Sequence, residues 1–436
     1  MQVSVESTGA LERRMSVTVP EEKVAQEVDK RLKSMASRVR VDGFRPGKVP
    51  FSVVRTKYAG QVRSEVIGDM MQTSFYEAVQ EQGLKPAGVP TVEPKLIEPG
   101  QGLQFDAVFE VMPEVKLASM AKVKLERPVA EVTDADIDET IENIRKQRKD
   151  YADVERACED GDRVYCDFKG LLDGEVFDGG EAKDFPLELG AKRMIAGFED
   201  GIIGAKAGEE RTLNLSFPDS YHAETLAGKA VVFEIKVNKV QGPKLPEVDE
   251  EFVKAMGIEG GVDAMREEIR KNMEREVTQS IENNVKQQVM DSLLENNSVD
   301  TPTALIEQES KNLAQQMAAN LQQQGVDLSQ LNVEGDMYKE QAERRVKLGL
   351  LLSEVVSQQD IKATDSDVRS YVEEMAGPYQ KPQEVIDYYY QDKKRLAEAE
   401  SMVIERKIVD WVIDQAKVTE KKVSVTELMK SAQEQQ

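Results

Sequence analysis

The spacing of apolar residues changes twice within the first 112 residues. Apolar and polar positions first alternate in the manner of half-buried strands, at Val3, Val5, Val17 and Val19. From Pro20 the apolar spacing becomes four residues, which predicts helices that continue to about Gln82. Two further strand-like runs occupy 89–97 and 103–111. The pattern therefore predicts a small α/β domain over residues 1–112.

A connector with one helix is predicted for residues 113–150. Thr133 precedes Asp136 by three residues, which is typical of a helix N-terminus. The following helix has one apolar stripe, formed by Ile137, Ile141 and Ile144. A single stripe of this kind could pack against another domain.

Short alternating strands separated by glycines characterise residues 151–243. The predicted strands are 163–170, 185–189, 210–217 and 230–240. Six of the twelve phenylalanines of the chain lie in this region. Short strands, turn signals and many aromatic residues predict a compact antiparallel β domain.

The remaining residues, 244–436, are predicted to be helical to about Ala416. Apolar residues recur at every fourth position from Met265 to Leu293. Since one turn takes 3.6 residues, this stripe drifts by about 40° per step, and we expect its apolar face to be incompletely buried. Further helices are predicted at 303–324, 335–358, 365–376 and 383–416. The fold class is therefore multidomain α+β, with an N-terminal α/β domain, an antiparallel β domain and an all-α C-terminal domain.

Methionine is concentrated in this helical region, where nine of the seventeen methionines follow residue 246. Because the methionine side chain is flexible and polarizable, a helical surface that carries it would suit non-specific contacts with apolar segments. Filling of the seams between helices is the alternative interpretation for each methionine.

The distribution of charge contains one local reversal. The whole chain has 58 basic and 81 acidic residues, a net charge of −23, which favours a soluble surface that repels nucleic acid. Between Arg31 and Arg63, however, there are nine basic residues and one acidic residue, Asp42, a local net charge of 9 − 1 = +8. The average charge of the chain therefore hides a basic island in the N-terminal domain.

Several classes of protein are not supported by the sequence. No basic segment followed by an apolar run begins the chain, and no apolar run approaches the roughly 18 residues of a membrane span. The phosphate-binding Gly-x-x-x-x-Gly-Lys-Ser/Thr motif does not occur, so we expect neither ATP dependence nor a cofactor or metal. Cys158 and Cys166 lack metal-ligand spacing, and two reduced cytosolic thiols are favoured over a disulfide between them.

Residues 43–50 combine an aromatic ring and cations in a stiff turn. Glycine permits tight turns and proline fixes φ, so the loop can be shaped before it meets a partner. The cations can pair with phosphates, and the ring can stack on a base or fill a pocket. A solvated basic loop without a partner is the alternative. The candidate binding residues are Gly43, Phe44, Arg45, Pro46, Gly47, Lys48 and Pro50.

The run Gly-Phe-Arg-x-Gly-x-x-Pro at 43–50 resembles the ribosome-docking signature of bacterial trigger factors, and the resemblance extends over essentially the whole chain. In that family the loop contacts a large-subunit protein and nearby ribosomal RNA beside the exit tunnel, and the C-terminal helices form the main chaperone surface. The resemblance implies a cytoplasmic, ATP-independent chaperone whose partners are the ribosome and nascent or unfolded polypeptides. It implies no membrane or DNA partner, and a homodimer of the free chain stays an open alternative.

The β domain is a candidate prolyl isomerase on chemical grounds. Rotation about an X-Pro bond must cross a barrier of about 18–20 kcal/mol set by amide resonance, and it needs no proton transfer or covalent bond. An apolar aromatic pocket could lower this barrier by desolvating the imide and binding its twisted form. The single histidine, His222, and the two cysteines show no nucleophile–base pattern, so triad chemistry has little support.

Residues 164–240 also resemble the FKBP-type prolyl isomerase family. The resemblance is carried by motif segments that contain Phe168, Gly174, Phe185, Met194, Phe217 and Phe233. In this family many members have tyrosine at the position of Phe168 and tryptophan at that of Phe198. Both phenylalanines keep the pocket apolar but remove hydrogen-bonding options.

The resemblance implies a role for each pocket residue. Phe198 would form the floor, Phe177, Phe185 and Phe233 the walls, and Met194 and Ile195 the lip. The Ile195 N–H would bind a substrate carbonyl, Asp178 would be the polar group near the rotating bond, and Tyr221 or His222 would contribute from a long loop. The implied catalytic residues are Phe177, Asp178, Phe185, Met194, Ile195, Phe198, Tyr221, His222 and Phe233.

Two rival interpretations remain open. The chain could be a free cytosolic isomerase whose flanking domains tether it to folded partners, which ribosome pelleting at varied salt would distinguish. It could also be a structural assembly factor with an inactive pocket, which a peptide isomerisation assay would distinguish.

Overall fold

The computed structural model describes residues 1–40, 42, 44, 49–172, 174–219, 221, 223, 226–325, 335–379 and 381–434, without the side chains of Asp178 and Glu434. Two compact units divide the chain. The first combines Met1–Arg127 with Asn283–Lys421, and the second combines Pro128–Glu282 with Lys422–Gln436. Each unit thus joins segments that are distant in sequence, whereas the domain boundaries at 112, 150 and 243 stay a prediction.

A sheet covered by two helices forms the N-terminal part of the first unit. Its antiparallel strands, in the order β1-β2-β4-β3, are β1 (Gln2–Ser7), β2 (Glu12–Val19), β3 (Pro86–Leu96) and β4 (Leu103–Val111). The helices are α1 (Glu21–Ala36) and α2 (Phe51–Glu81). Val24, Val28 and Leu32 of α1 are buried in the same core as alternate residues of β2 and β4. The predicted α/β domain is confirmed, because alternation in the strands and four-residue spacing in the helix aim apolar side chains at one core.

The helices of the first unit that follow residue 283 include one break that the pattern of apolar residues did not predict. They are α7 (Thr303–Gln323), α8 (Lys339–Gln359), α9 (Asp365–Ala376), α10 (Pro382–Tyr390) and α11 (Lys393–Gln415). The prediction of one helix over 383–416 is wrong, because Asp392 has an extended conformation and accepts a hydrogen bond from the Lys394 N–H at the start of α11. Two strands, β5 (Lys124–Val129) and β11 (Lys417–Lys422), pair with each other, and β11 was not predicted.

The predicted β domain lies in the second unit and is built around an antiparallel sheet. Its strands are β6 (Asp150–Asp153), β7 (Arg163–Leu172), β8 (Glu175–Glu188), β9 (Glu210–Ser216) and β10 (Ala230–Lys244). The strand β10 is central, since it pairs with β7 along one edge and with β9 and β6 along the other. The helix α4 (Phe198–Ile202) contacts β9. The antiparallel β domain is confirmed, and β6 is an addition to the predicted strands.

A small helical cluster completes the second unit. It contains α3 (Asp134–Gln147), α5 (Glu250–Ala255), the first part of α6 (Gly261–Asn296) and α12 (Val425–Glu434). The predicted capping box is present, since the Thr133 hydroxyl and the Asp136 carboxylate each accept a hydrogen bond from the other residue's N–H. The apolar stripe of α3 packs against α5 and α6.

The drifting apolar stripe of α6 is largely buried. Met273 and Ile281 are partly exposed, and the other six residues of the stripe are buried. Met265 and Ile269 pack against α3 and α5, whereas Val277 packs against α12. The stripe therefore meets different partners as it turns around the helix. None of the described helices combines the length and apolarity needed to cross a membrane.

Candidate functional site

Edge-to-face phenylalanine rings form the interior of the β domain. The Phe168 ring lies 5.6 Å from that of Phe185, 5.7 Å from that of Phe198 and 6.2 Å from that of Phe233, measured between centroids. The rings of Phe198 and Phe233 are 5.0 Å apart. Interplanar angles between 67° and 87° place ring edges against ring faces, the arrangement that the aromatic quadrupole favours.

A second group of rings extends this aromatic cluster towards the surface. The Phe177 ring lies 5.7 Å from that of Phe217 and 6.2 Å from that of Phe233. The Phe217 ring in turn lies 4.6 Å from that of Tyr221. The implied aromatic residues therefore belong to one continuous cluster of rings, formed by Phe177, Phe185, Phe198, Tyr221 and Phe233. Phe217 is a further member, to which the sequence assigned no role.

Burial divides this cluster into a floor and a rim. Phe198 is fully buried and Phe233 is 4% exposed, so both lie beneath the other rings. The rim residues are half-buried and pack against this core: Phe177, Phe185, Met194, Ile195 and Tyr221. Phe233, which the resemblance implies as a wall, is thus nearly as deep as Phe198, and the individual roles of these residues stay predictions.

Two glycines make room for the rings because they have no Cβ atom. Gly170 of β7 is paired with Phe233 of β10, and a Cβ atom on Gly170 would lie 2.5 Å from Phe177 Cε1 and 2.8 Å from Phe233 Cε1. A Cβ atom on Gly180 would lie 2.9 Å from the Phe177 carbonyl oxygen and 3.0 Å from its ring. Both sets of distances are below van der Waals contact, so glycine is required for this ring packing.

Both thiols are buried and unpaired in this domain. Burial raises the pKa of the Cys166 thiol to about 11, and it raises the pKa of the Cys158 thiol as well. The Cys158 Sγ–H donates a hydrogen bond to the Ile202 carbonyl oxygen, 3.0 Å away. Protonated, enclosed thiols are poor nucleophiles and poor metal ligands. Among the described residues no group of histidine, cysteine and carboxylate side chains is arranged to hold a metal ion.

Several predicted site residues lie outside the described part of the chain. These are His222, the Asp178 side chain, and Gly43, Arg45, Pro46, Gly47 and Lys48 of the loop. Of the remaining loop residues, Phe44 is 39% exposed and Pro50 is exposed. The aromatic side chain is therefore accessible to a partner.

The basic island divides into paired and unpaired cations. Arg31 forms an ion pair with Asp69, and both guanidinium nitrogens of Arg63 bind Glu21. Five other cations are exposed and form no ion pair with any described residue: Lys33, Arg38, Arg40, Arg55 and Lys57. They lie at the C-terminal end of α1, just after it, and in the first turns of α2. The sequence count of +8 therefore includes two arginines with structural partners.

Exposed apolar side chains are frequent on the helices of the first unit and beside them. Their exposed fractions are at least 40%, for Met317, Met337, Met375, Tyr379, Tyr388, Tyr390 and Met402. Other methionines, such as Met265 and Met290, are buried. Some methionines are therefore buried and others are exposed, and binding of apolar segments by the exposed ones stays a prediction.

Three family models match the chain in order. Residues 1–144 match the bacterial trigger factor protein, residues 154–238 match the FKBP-type peptidyl-prolyl cis-trans isomerase, and residues 261–414 match the trigger factor C-terminus. The β domain with its aromatic cluster is thus an FKBP-type isomerase domain, flanked by matches to one chaperone family.

Full-length relatives agree with these matches. The trigger factors of Stutzerimonas stutzeri (strain A1501) and Pseudomonas putida (strain W619) are 48% and 50% identical over 434 residues, which is 99% of this chain and 99% of each relative. A solved structure described as "Promiscuous Substrate Recognition in Folding and Assembly Activities of the Trigger Factor Chaperone" is similar over 95% of this chain and 99% of that chain, with 18% identity and a TM-score of 0.47. The chain belongs to the bacterial trigger factor family, whose members are chaperones with a prolyl isomerase domain.

Proposed function

We propose that this chaperone docks on the ribosome through the exposed cations of α1 and α2 together with the loop at 43–50. The observation that carries docking is the set of five unpaired cations named above on a chain of net charge −23. Exposed cations that form no ion pair within the protein can pair with RNA phosphates and release counterions. The exposed Phe44 ring would add an apolar contact at the same surface.

Ribosome pelleting tests this docking surface. Replacing Phe44, Arg45 and Lys48 by alanine should abolish co-sedimentation with ribosomes and leave peptide isomerisation intact. Replacing Arg55 and Lys57 by alanine should weaken binding and lower the slope of log K against log salt by about 0.7–0.9 for each phosphate that is no longer neutralised.

A matched control separates local docking from the net charge of the chain. Lys183 and Lys236 are exposed on the β domain, and their replacement by alanine removes the same two charges as Arg55 and Lys57. This control should pellet like the wild-type chain. Equal weakening in both double variants would mean that net charge alone governs the association, and unchanged pelleting of the Phe44, Arg45 and Lys48 variant would exclude the loop.

We further propose that the aromatic cluster of the β domain is the isomerase pocket. The apolar floor of Phe198 and Phe233 would desolvate the imide, and the half-buried rim would contact the residues around the proline. Binding the twisted imide more strongly than either planar isomer lowers the rotational barrier. The polar roles of Asp178 and of Tyr221 or His222 stay predictions.

A protease-coupled isomerisation assay with a proline tetrapeptide tests the pocket. Phe233→Leu keeps an apolar side chain but removes ring contacts, so kcat/KM should fall at least tenfold. Phe109→Leu in the first unit is the matched control, because it replaces a buried ring that is 5.1 Å from Phe75 and far in sequence from the pocket. A normal rate for Phe233→Leu would place the pocket elsewhere.

Client binding is proposed for the exposed methionine and tyrosine side chains of the first unit's helical part. Flexible thioethers and amphipathic rings tolerate varied apolar partners, as a chaperone of nascent chains requires. We place this activity in the cytosol, in keeping with two unpaired cysteines. A homodimer of the free chain belongs to the same hypothesis, and sedimentation equilibrium would test it.

A further inference from the structure

One buried carboxylate holds the loop that forms the lip of the pocket. Glu199, in the first turn of α4, is 6% exposed. Its Oε2 accepts hydrogen bonds from the N–H groups of Gly190 and Lys192, both at 2.9 Å. Its Oε1 accepts from the N–H groups of Arg193 and Met194, at 2.8 and 3.2 Å. Four backbone donors of one short loop therefore converge on a single side chain.

The conformation of this loop requires such a partner. Gly190 and Lys192 have φ values of 85° and 53°, and a left-handed conformation is unfavourable for lysine. The donors face inwards to the carboxylate, so they form no ladder with a strand. Only a group that accepts from all four can satisfy them, which a carboxylate does and a primary amide does not.

The next N–H along the chain is the one implied to bind substrate. Ile195 follows the four tethered residues and lies half-buried at the rim. Its carbonyl oxygen accepts a hydrogen bond from the Phe198 N–H at 3.1 Å. Its own N–H has no acceptor among the described residues, so it remains available to a ligand.

We infer that Glu199 is a positioning residue of the isomerase site, which fixes the lip so that the Ile195 N–H stands ready to bind a substrate carbonyl outside the rotating imide. This inference rests on the proposed pocket. Because such a carbonyl is bound equally in the planar and twisted forms of the substrate, loss of the Ile195 N–H as its partner weakens the binding of both forms equally. Loosening of the lip should therefore raise KM and leave kcat nearly unchanged.

The test compares Glu199→Gln with Asp200→Asn in the full chain. Both replace a carboxylate by an amide on α4, but Asp200 is exposed and accepts no hydrogen bond among those of the described residues. For a proline tetrapeptide, Glu199→Gln should raise KM at least tenfold and change kcat less than twofold, and Asp200→Asn should change neither. Amide hydrogen exchange should accelerate in 190–195 and stay unchanged in β7 and β10.

Each outcome separates the inference from the pocket proposal. A normal KM for Glu199→Gln, together with fast amide hydrogen exchange in 190–195, would overturn the positioning role. A fall in kcat accompanied by faster amide exchange throughout β7 and β10 would also overturn it. If Phe233→Leu is also fully active, the pocket proposal itself fails. Glu199→Asp keeps the charge but withdraws it by one methylene, so a smaller rise in KM is expected. This variant tests the inference even if Glu199→Gln does not fold, and an unchanged KM for Glu199→Asp overturns it.

Discussion

The close approach of Gly170 to the Phe177 ring allows a sharp test of how tightly the aromatic cluster is packed. Gly170→Ala adds one Cβ atom 2.5 Å from Phe177 Cε1, whereas carbon atoms in contact are about 3.5–4.0 Å apart. The φ angle of Gly170 is not in the left-handed region, so the backbone itself accepts alanine. The Phe177 and Phe233 rings must therefore move by about 1 Å.

The cost of this movement follows from overpacking. One added methyl group in a well-packed core destabilises by about 1–3 kcal/mol, and each kcal/mol lowers the unfolding temperature of a domain of about 60–100 residues by about 4–8 °C. Misplacement of pocket groups by about 1 Å can reduce catalysis by roughly a hundredfold. We therefore expect Gly170→Ala to reduce both the stability of the β domain and kcat/KM for a proline peptide.

Hydrogen exchange of β7, together with the coupled isomerisation assay, measures both effects. In the background of Phe177→Leu the added methyl group meets a smaller side chain, so Gly170→Ala should cost less there, with a coupling of about 0.5–3 kcal/mol. Wild-type exchange and wild-type kcat/KM in the single variant would refute the reasoning, since they would mean that the rings move freely.

Three further predictions concern other parts of the chain. The hydrogen bonds from Arg63 lower the pKa of Glu21 below its ordinary value of 4.5. The ionised carboxylate therefore stabilises the fold above pH 4.5, and this stabilisation is lost as the pH falls below that value. Glu21→Gln should flatten the dependence of the unfolding free energy on acid pH, measured by urea titration. Iodoacetamide at about pH 8 should alkylate neither Cys158 nor Cys166 in the folded chain and both in urea, and rapid labelling of the native chain in the mass spectrum would contradict their burial. Gly60→Ala should stabilise α2 by about 1 kcal/mol, because alanine has a higher helix propensity than glycine and the added Cβ would meet no atom within 4 Å. A lower unfolding midpoint in urea would count against this.

Part of the aromatic cluster could be predicted from sequence, because Phe168 and Phe233 occupy inward positions of regular strands. Alternation places Phe168 and Phe233 on the same face as their apolar neighbours, and the structure buries both. Gly170 was missed as a determinant, since the need for a bare Cα depends on rings that approach from β8 and β10. Glu199 was missed for a different reason, because carboxylates are rarely buried and the four donors that retain it belong to a loop without a periodic pattern.

Helix boundaries in the C-terminal part were the least predictable feature. Apolar spacing continues through 383–416, and a single N-cap residue, Asp392, is enough to start a new helix there. The helix α12 was missed because its buried apolar residues, Val425 and Leu428, pack against residues far away in sequence, among them Val277 of α6, which lies more than 140 residues earlier. A local sequence pattern cannot indicate a packing partner that is so far away in sequence.

The discontinuous make-up of the second unit has a consequence for biosynthesis. Residues 425–434 are translated long after the β domain, yet Val425 and Leu428 cover Val277. Until α12 has left the ribosome, its contacts with this apolar side of α6 cannot form, while the isomerase sheet already has all its strands. A growing copy of this chaperone thus exposes part of an apolar helix surface, which is the kind of surface that it shields on other proteins.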